Sequence, residues 1–512
     1  MSKKLILIAF VVSLGGFLFG FDAGIISGVM AYVGPEFSLD EIQSGWVVSS
    51  PSFAAMLSML FSGRLSDFIG RKKILIAVAF LYAISALLSA YAISYEMLYI
   101  ARMTGGFAFG AALILAPTYI AEISTPENRG KLVSIQQLNI VLGFFAAFLS
   151  NYYLNNANND SQSFFTDENV WRWMLGLELI PALLYFFLMF LVPKSPRWLF
   201  SKNKIKEAFS ILKEIHGEKT ATEEVNSIEK NIKEDKINKK VKLTDLFKPA
   251  IRFIMIVGLV IGVLQQVTGI NAVYFYATSI FQQTGIGTNA SFFSGVLMSS
   301  VTVVFTIIAI FLIDKMGRRP LLLVGVAGIA ISLTLCAYGF NQATYTLTPE
   351  SIATLEKSDQ EKLKPFENKL YTSDLDFKQE MKRALGATVY AKNEGNILEV
   401  ATKINAALVL TGILGFIACF AFSLGPVMWV LLSELYPIKY RGLAIGFIGF
   451  INSFASWVVQ QIFPWELSNL GNAMSFLIFG LIAFVGFFIL LKILPETKGK
   501  SLEQIEKELV KN

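Results

Sequence analysis

The sequence predicts an all-α polytopic membrane protein of about twelve transmembrane helices in two six-helix halves, and three observations carry that reading. Hydrophobic residues make up 54% of the 512 and charged residues 16%, where a soluble chain carries close to a quarter of charged residues. Apolar runs of ~20 residues, the length that crosses a hydrocarbon layer of ~30 Å, recur between short polar turns. The polar motifs that bound these runs occur twice, in the same order.

The runs lie near residues 5–30, 44–66, 74–92, 98–121, 132–152, 173–192, 251–281, 290–313, 320–340, 404–432, 442–463 and 471–493. An even number places both termini on one side. The first run continues into a glycine-rich segment without a small-residue cleavage site, so it reads as a membrane anchor and not a removable signal. Turns near 31–45, 92–97 and 282–291 contain no Lys or Arg, whereas Arg64, Arg71, Lys72, Lys73, Arg129, Lys131, Lys315, Arg318, Arg319, Lys439 and Arg441 fill the alternate turns. The positive-inside rule then puts the termini and the 194–250 loop in the cytoplasm. Cys336 and Cys419 both fall inside runs, which supports neither a disulfide framework nor a zinc site. The lone histidine, His216, falls in the charged loop, where it reads as a solvated surface side chain and not as an intramembrane proton carrier.

The duplication divides the chain. Asp67-Phe-Ile-Gly70-Arg71-Lys72 recurs as Asp314-Lys-Met-Gly317-Arg318-Arg319. Glu122, seven residues before Arg129-Gly130, recurs as Glu434 before Arg441-Gly442, and Pro193-Lys-Ser195 answers Pro495-Glu-Thr497. The expected units are a first half over 1–193, a helical linker over 194–250, a second half over 251–495 with an insertion at 341–403, and a tail over 496–512. Parallel duplicated halves with a site between them near the midplane are a transporter arrangement.

Several intramembrane residues need a reason to be there. Gly16, Gly20, Gly24 and Gly28 recur every four residues and form a packing stripe. Asp22 is costly in hydrocarbon unless it is paired, faces a cavity or is protonated. Arg102 is its natural partner, with Glu178 in the same cluster. Burial disfavours the charged carboxylate and a guanidinium favours it, so a change in their separation converts a conformational step into proton uptake or release; a static ion pair is the bland alternative. Gln265, Gln266 and Asn271 suit sugar hydroxyls because each amide both donates and accepts, although such amides also join helices. On an ideal helix Gln266 and Asn271 are about 140° apart, so they share a site only if Thr268-Gly269 interrupts the helix. Tyr274, Phe275 and Tyr276 lie just beyond, placed to close an outer mouth.

Taken together, Gly15-Gly16-Phe-Leu-Phe-Gly-Phe-Asp22, Gly63-Arg64-Leu-Ser-Asp67, Arg102 with Gly105-Gly106, Tyr119-Ile-Ala-Glu122, Pro193-Lys-Ser-Pro196-Arg197-Trp198, Gln265-Gln266-Val-Thr-Gly269-Ile-Asn271, Gly425-Pro426-Val-Met-Trp429 and Pro495-Glu-Thr-Lys-Gly499 resemble the sugar porters of the major facilitator superfamily, nearly end to end. The resemblance implies the major facilitator fold and a substrate site that also includes Phe19, Gln137, Trp429 and Asn452. It implies proton coupling through Asp22 and Arg102, since many facilitative members lack the first-span acid. It further implies that Asp67, Arg71, Glu122, Arg129, Asp314, Arg318, Glu434 and Arg441 form ion-pair networks that hold the inner side shut. Thr302 and Ser453 depart from the asparagine and tryptophan many relatives carry, and Phe144 replaces an amide of some xylose carriers, which favours a hexose over a pentose.

No nucleophile or paired-carboxylate constellation faces an aqueous domain and no nucleotide loop is present, so an enzyme is not expected. Neither tail holds a signalling domain. The expectation is a monomeric sugar/proton symporter in the cytoplasmic membrane, with a monosaccharide, a proton and lipid as its partners and no cofactor, metal or nucleic acid. The alternatives are a proton-independent uniporter and a proton-coupled myo-inositol carrier.

Overall fold

The computed structural model describes residues 2–159, 163–225 and 242–498, with every side chain among them except those of Pro126, Glu127, Arg129, Asp314 and Ile438. Among these residues, twelve helices are long and apolar enough to cross a membrane: Lys3–Glu36, Glu41–Ile69, Arg71–Ala90, Tyr95–Ile123, Gly130–Asn158, Val170–Leu191, Pro249–Phe275, Thr288–Ile313, Arg318–Asn341, Ala406–Leu435, Lys439–Asn469 and Gly471–Ile493. They match the twelve predicted runs and extend past several of them because polar residues cap their ends. Ser2 Oγ accepts from Leu5 N (3.2 Å), Ser94 Oγ from Met97 N (3.2 Å), and Asp40 and Gln43 form a reciprocal capping box.

Helix pairing repeats between the halves. The first span packs on the fifth as the seventh does on the eleventh, the second on the fourth as the eighth on the tenth, and the third on the fourth as the ninth on the tenth. The halves meet where the second span lies on the eleventh and the eighth on the fifth, two contacts that exchange under the same duplication. The glycine stripe packs closely on a neighbouring helix, as its spacing predicts, and that helix is the fifth span. A Cβ on Gly20 would stand 2.0 Å from the Ile140 carbonyl oxygen, and one on Gly143 would stand 2.0 Å from that of Phe17.

Three spans are broken where the site lies. The seventh stops at Val267, turns through Gly269 in the left-handed region (φ 85°) and resumes over Ile270–Phe275, a conformation glycine adopts without steric cost. The sixth is Val170–Gly176 followed by Leu179–Leu191, jointed at Leu177–Glu178. The tenth is Ala406–Phe422 and Leu424–Leu435, jointed at Ser423, three residues before Pro426.

The side carrying the 194–250 loop, here the loop side, has short helices at Pro196–Ser201, Ile205–His216 and 218–225, packed through Leu199, Phe200, Ala208, Leu212 and Ala221. His216 corrects the sequence reading. Its ring is half-buried and Nε2 lies 2.7 Å from the Ile123 carbonyl oxygen, so it donates there and ties the loop to the end of the fourth span. The opposite, insertion side carries a small folded cap. Strands Thr344–Tyr345 and Thr402–Lys403 pair antiparallel at its base, and Asp374–Leu385 and Ala387–Ala401 close over a core that includes Leu363, Phe377, Met381, Tyr390 and Leu398. Asp374 accepts from Asn472 N (3.0 Å) and Nδ2 (3.1 Å) at the start of the twelfth span. The helix Ala387–Ala401 rests on the first span, and Lys382 reaches Glu41 at 4.0 Å. The cap thus touches both halves.

Candidate functional site

The breaks bring the predicted amides into one network. Asn452 Nδ2 donates to Gln265 Oε1 (2.9 Å) and to the Gly262 carbonyl (2.7 Å), while its Oδ1 accepts from Gln266 Nε2 (3.2 Å). Asn271 Nδ2 donates to Gln266 Oε1 (2.8 Å), which a continuous helix would not allow; the turn at Gly269 removes the angular separation. Gln265 Nε2 donates to the Leu424 carbonyl (2.9 Å) and so joins the broken seventh span to the second piece of the broken tenth. Ser456 and Gln460, which sequence reasoning missed, extend the network: Ser456 Oγ accepts from Asn271 (2.7 Å) and Gln460 (2.7 Å). Their only sequence signal is a spacing of one and two turns from Asn452.

Across the midline, the first-span acid and fourth-span arginine form a buried pair. Arg102 Nη1 lies 3.1 Å from Asp22 Oδ1 and Nη2 3.4 Å from Oδ2, with the two residues 2% and 6% exposed. Arg102 Nε is held by the Val47 carbonyl (3.0 Å). Glu178, at the sixth-span joint and equally buried, lies within electrostatic reach of both. Tyr82 and Tyr185, also missed, complete this region: Tyr82 donates to the Gly15 carbonyl (2.9 Å), and the buried Tyr185 hydroxyl lacks a partner among the described residues. A small cavity of about 10 Å³, room for about one water molecule, is lined by Phe19, Asp22, Ser52, Arg102, Phe109 and Phe275 among others, so the ion pair and the predicted aromatic face share one space.

Of the remaining predicted residues, Tyr276 donates to the Gln460 carbonyl (3.2 Å) and is buried. Phe19 packs on Phe109 with ring centres 4.8 Å apart. Phe144 packs at 4.8 Å on Tyr274, whose hydroxyl bonds Thr302, so two of the departures from the family pattern both contact Tyr274. Gln137 is half-buried with no hydrogen-bond partner among the described residues, and Trp429 is 43% exposed.

On the loop side, positions Gly63, Gly130, Gly442 and Gly446 have no atom within 4 Å of an added Cβ, and Phe61, Leu65 and Phe68 are exposed. Between described residues no ion pair joins the halves there. The charges instead pair within each half. Arg71 meets Asp67 (2.6 Å) and Glu122 (3.0 Å), and Ser195 donates to Glu122. Arg318 meets Glu434 (2.8 Å), and Thr497 donates to Glu434 (2.6 Å). The duplicated Pro-x-Ser/Thr motifs therefore end on equivalent acids. Arg441 donates to the Tyr436 carbonyl (3.1 Å) and leaves Nη2 without a described partner. The side chains of Arg129 and Asp314 lie outside the described ones. On the insertion side, beside the Lys382–Glu41 contact of the cap, the halves are joined by neutral bonds: Ser27 with Thr278 (3.0 Å), Asn155 to Asn289 (2.6 Å), Ser49 to Gln461 (2.7 Å) and Ser52 to Gln460 (3.0 Å).

Comparison with known proteins agrees with this architecture. The family model described as "Sugar (and other) transporter" matches residues 8–354 and 383–509. The chain is 34% identical to the arabinose-proton symporter of Bacillus subtilis (strain 168), covering 99% of this chain and 95% of that one. It is 32% identical to the major myo-inositol transporter IolT of the same organism, over 98% of this chain and 93% of the relative. Its fold superimposes on the inward-open conformation of the xylose transporter XylE from E. coli with a TM-score of 0.75 at 27% identity, covering 99% and 100% of the two chains. With a family model over most of its length, twelve membrane-spanning helices and full-length relatives, this chain belongs to the sugar transporter family of the major facilitator superfamily and is a transporter, not an enzyme.

Proposed function

We propose that the chain is a sugar/proton symporter that imports a monosaccharide by alternating access, with both termini in the cytoplasm of the cell whose membrane it spans. The observation that carries this is the buried Asp22–Arg102 pair opening onto the same cavity as Phe19 and Phe275, beside the amide network of Gln265, Gln266, Asn271 and Asn452. The amides, Gln137 and Trp429 take the sugar, and Tyr276 closes over it on the outer side. Asp22 takes the proton, Arg102 competes with that proton for the carboxylate, and Glu178 adjusts the local field. The loop-side charges form the inner gate, standing open here, and Arg441 is the cation we assign to its closed form.

The named relatives of this chain include an arabinose-proton symporter, a myo-inositol transporter, a glucose transporter and a D-xylose transporter. Within that range the apolar Phe144–Tyr274 wall favours a hexose. Counterflow in proteoliposomes with labelled D-glucose, D-xylose, L-arabinose and myo-inositol tests the substrate. Coupling is tested by sugar-induced alkalinisation outside de-energised vesicles. One proton per sugar at 100 mV supplies about 2.3 kcal/mol, or roughly fiftyfold accumulation. Asp22→Asn is expected to abolish that accumulation and keep counterflow. Wild-type uptake without proton movement, with Asp22→Asn accumulating label normally, would make the protein a uniporter.

A further inference from the structure

Asn452, Ser456 and Gln460 stand one turn apart on the eleventh span, so their side chains form one stripe from the amide network to the insertion-side seam. Ser456 Oγ accepts from both Asn271 Nδ2 and Gln460 Nε2 at 2.7 Å, which fills its two lone pairs. Gln460 is fully buried and turns its other end to the opposite half, where Oε1 accepts from Ser52 Oγ (3.0 Å). Ser52 in turn lines the cavity holding Asp22 and Arg102, and Val47 on the same helix fixes Arg102. An unbroken hydrogen-bond chain thus runs Asn271–Ser456–Gln460–Ser52, and it crosses between the halves at Gln460–Ser52.

The two ends of this chain report different events. A sugar hydroxyl that takes the Asn271 amide withdraws one of the two donors that orient Ser456. Separation of the second span from the eleventh breaks the Ser52 bond. One planar amide carries both signals, and a buried amide is costly to leave half-satisfied. The neighbouring Ser49–Gln461 bond crosses the same seam without touching the network, so the structure contains its own control.

We propose that Gln460 is the positioning residue that ties occupancy of the sugar site to closure of the insertion-side seam, with Ser52 as its receiver on the acid-bearing half. This rests on the sugar-site reading above. A structural glutamine would stabilise the seam equally with and without sugar; a bridging one makes the seam respond to sugar.

The experiment places spin labels at Ile93 and Leu470, both exposed on the insertion side of opposite halves, in the full-length chain with Cys336→Ala and Cys419→Ala. Distance distributions are measured in proteoliposomes with and without D-glucose, D-xylose, L-arabinose or myo-inositol, using whichever gives counterflow. In wild type the sugar shifts the open–closed equilibrium of the seam. Ser52→Ala and Gln460→Leu are expected to shrink that sugar-dependent shift by about tenfold, the scale one buried hydrogen bond commands. Ser52→Thr is expected to restore it, and Ser49→Ala to move the resting population while keeping the response. A full sugar response in Ser52→Ala, with counterflow intact in wild type, would overturn the bridge alone. Absence of counterflow and of any shift with all four probes in wild type would overturn the sugar reading and the bridge together.

Discussion

Asn452→Leu measures how much of the sugar affinity depends on Asn452, which holds the other amides in place. Asn452 makes three bonds to the seventh span, to the Gly262 carbonyl, to Gln265 and to Gln266, at 2.7, 2.9 and 3.2 Å. Leucine keeps the approximate volume and removes all three. Side-chain hydrogen bonds between membrane helices average about 0.6 kcal/mol, so three contribute ~2 kcal/mol. If that ordering has to be restored on binding, the dissociation constant rises about thirtyfold. Titration calorimetry on the detergent-solubilised protein, with the sugar that gives the strongest counterflow, measures it directly. The apo thermal midpoint should fall as well, because the same bonds join the seventh and eleventh spans. An affinity within about twofold of wild type would show that the amides are ordered by other means and that Asn452 lies outside the site.

Arg441→Ala is expected to move the protein further towards the form open on the loop side. Arg441 makes no ion pair between described residues in this open arrangement, so its loss costs only the closed form, by the ~0–1 kcal/mol of an exposed pair, or up to about fivefold in population. Unchanged spin-label distances across the loop side would refute its gate role. Glu496 offers a pH test outside the membrane. Burial alone would raise its carboxyl, but backbone N–H donors from Lys498, Arg318, Arg319 and Thr497 outweigh it and hold the group below its ordinary value. A depressed carboxylate stabilises the fold above its unfolded pKa of about 4.3 and loses that contribution as pH falls through the folded value. Thermal midpoints should therefore fall more steeply on acidification in wild type than in Glu496→Gln; parallel curves would exclude the contribution.

Much of this architecture is legible in the sequence because a membrane demands long apolar runs and makes every interruption of them conspicuous. Asp22 and Arg102 stand out in apolar surroundings, and each is the other's natural partner. Thr268-Gly269 announced a break, although only the backbone shows that its left-handed turn puts Asn271 within 2.8 Å of Gln266. Small hydroxyls are harder to read. Ser49, Ser52 and Ser456 look like ordinary packing residues until the facing helix is known. Glu434 illustrates the other limit: sequence spacing associates it with Arg441, but its partner is Arg318, far away in the chain and brought close by the duplicated fold. His216, read as a free surface ring, turned out to be tied down because nothing in its own segment announces the fourth-span carbonyl that accepts its proton. The insertion's short helices gave no sign of the surface they would cover.

The two faces of this protein are fastened by different chemistry, and dissolved ions would treat them differently. The insertion side closes mainly on amide and hydroxyl pairs carrying no net charge, which a Debye length of ~3 Å in molar salt hardly affects. The loop side carries charged groups that range from the exposed Asp67 to the largely buried Arg71, Glu122 and Arg318, and the same salt screens the exposed ones. Ionic strength on one side of the membrane thus becomes a lever on half of the transport cycle: it changes the rate of the step that closes the charged mouth and leaves the neutral mouth at its own pace.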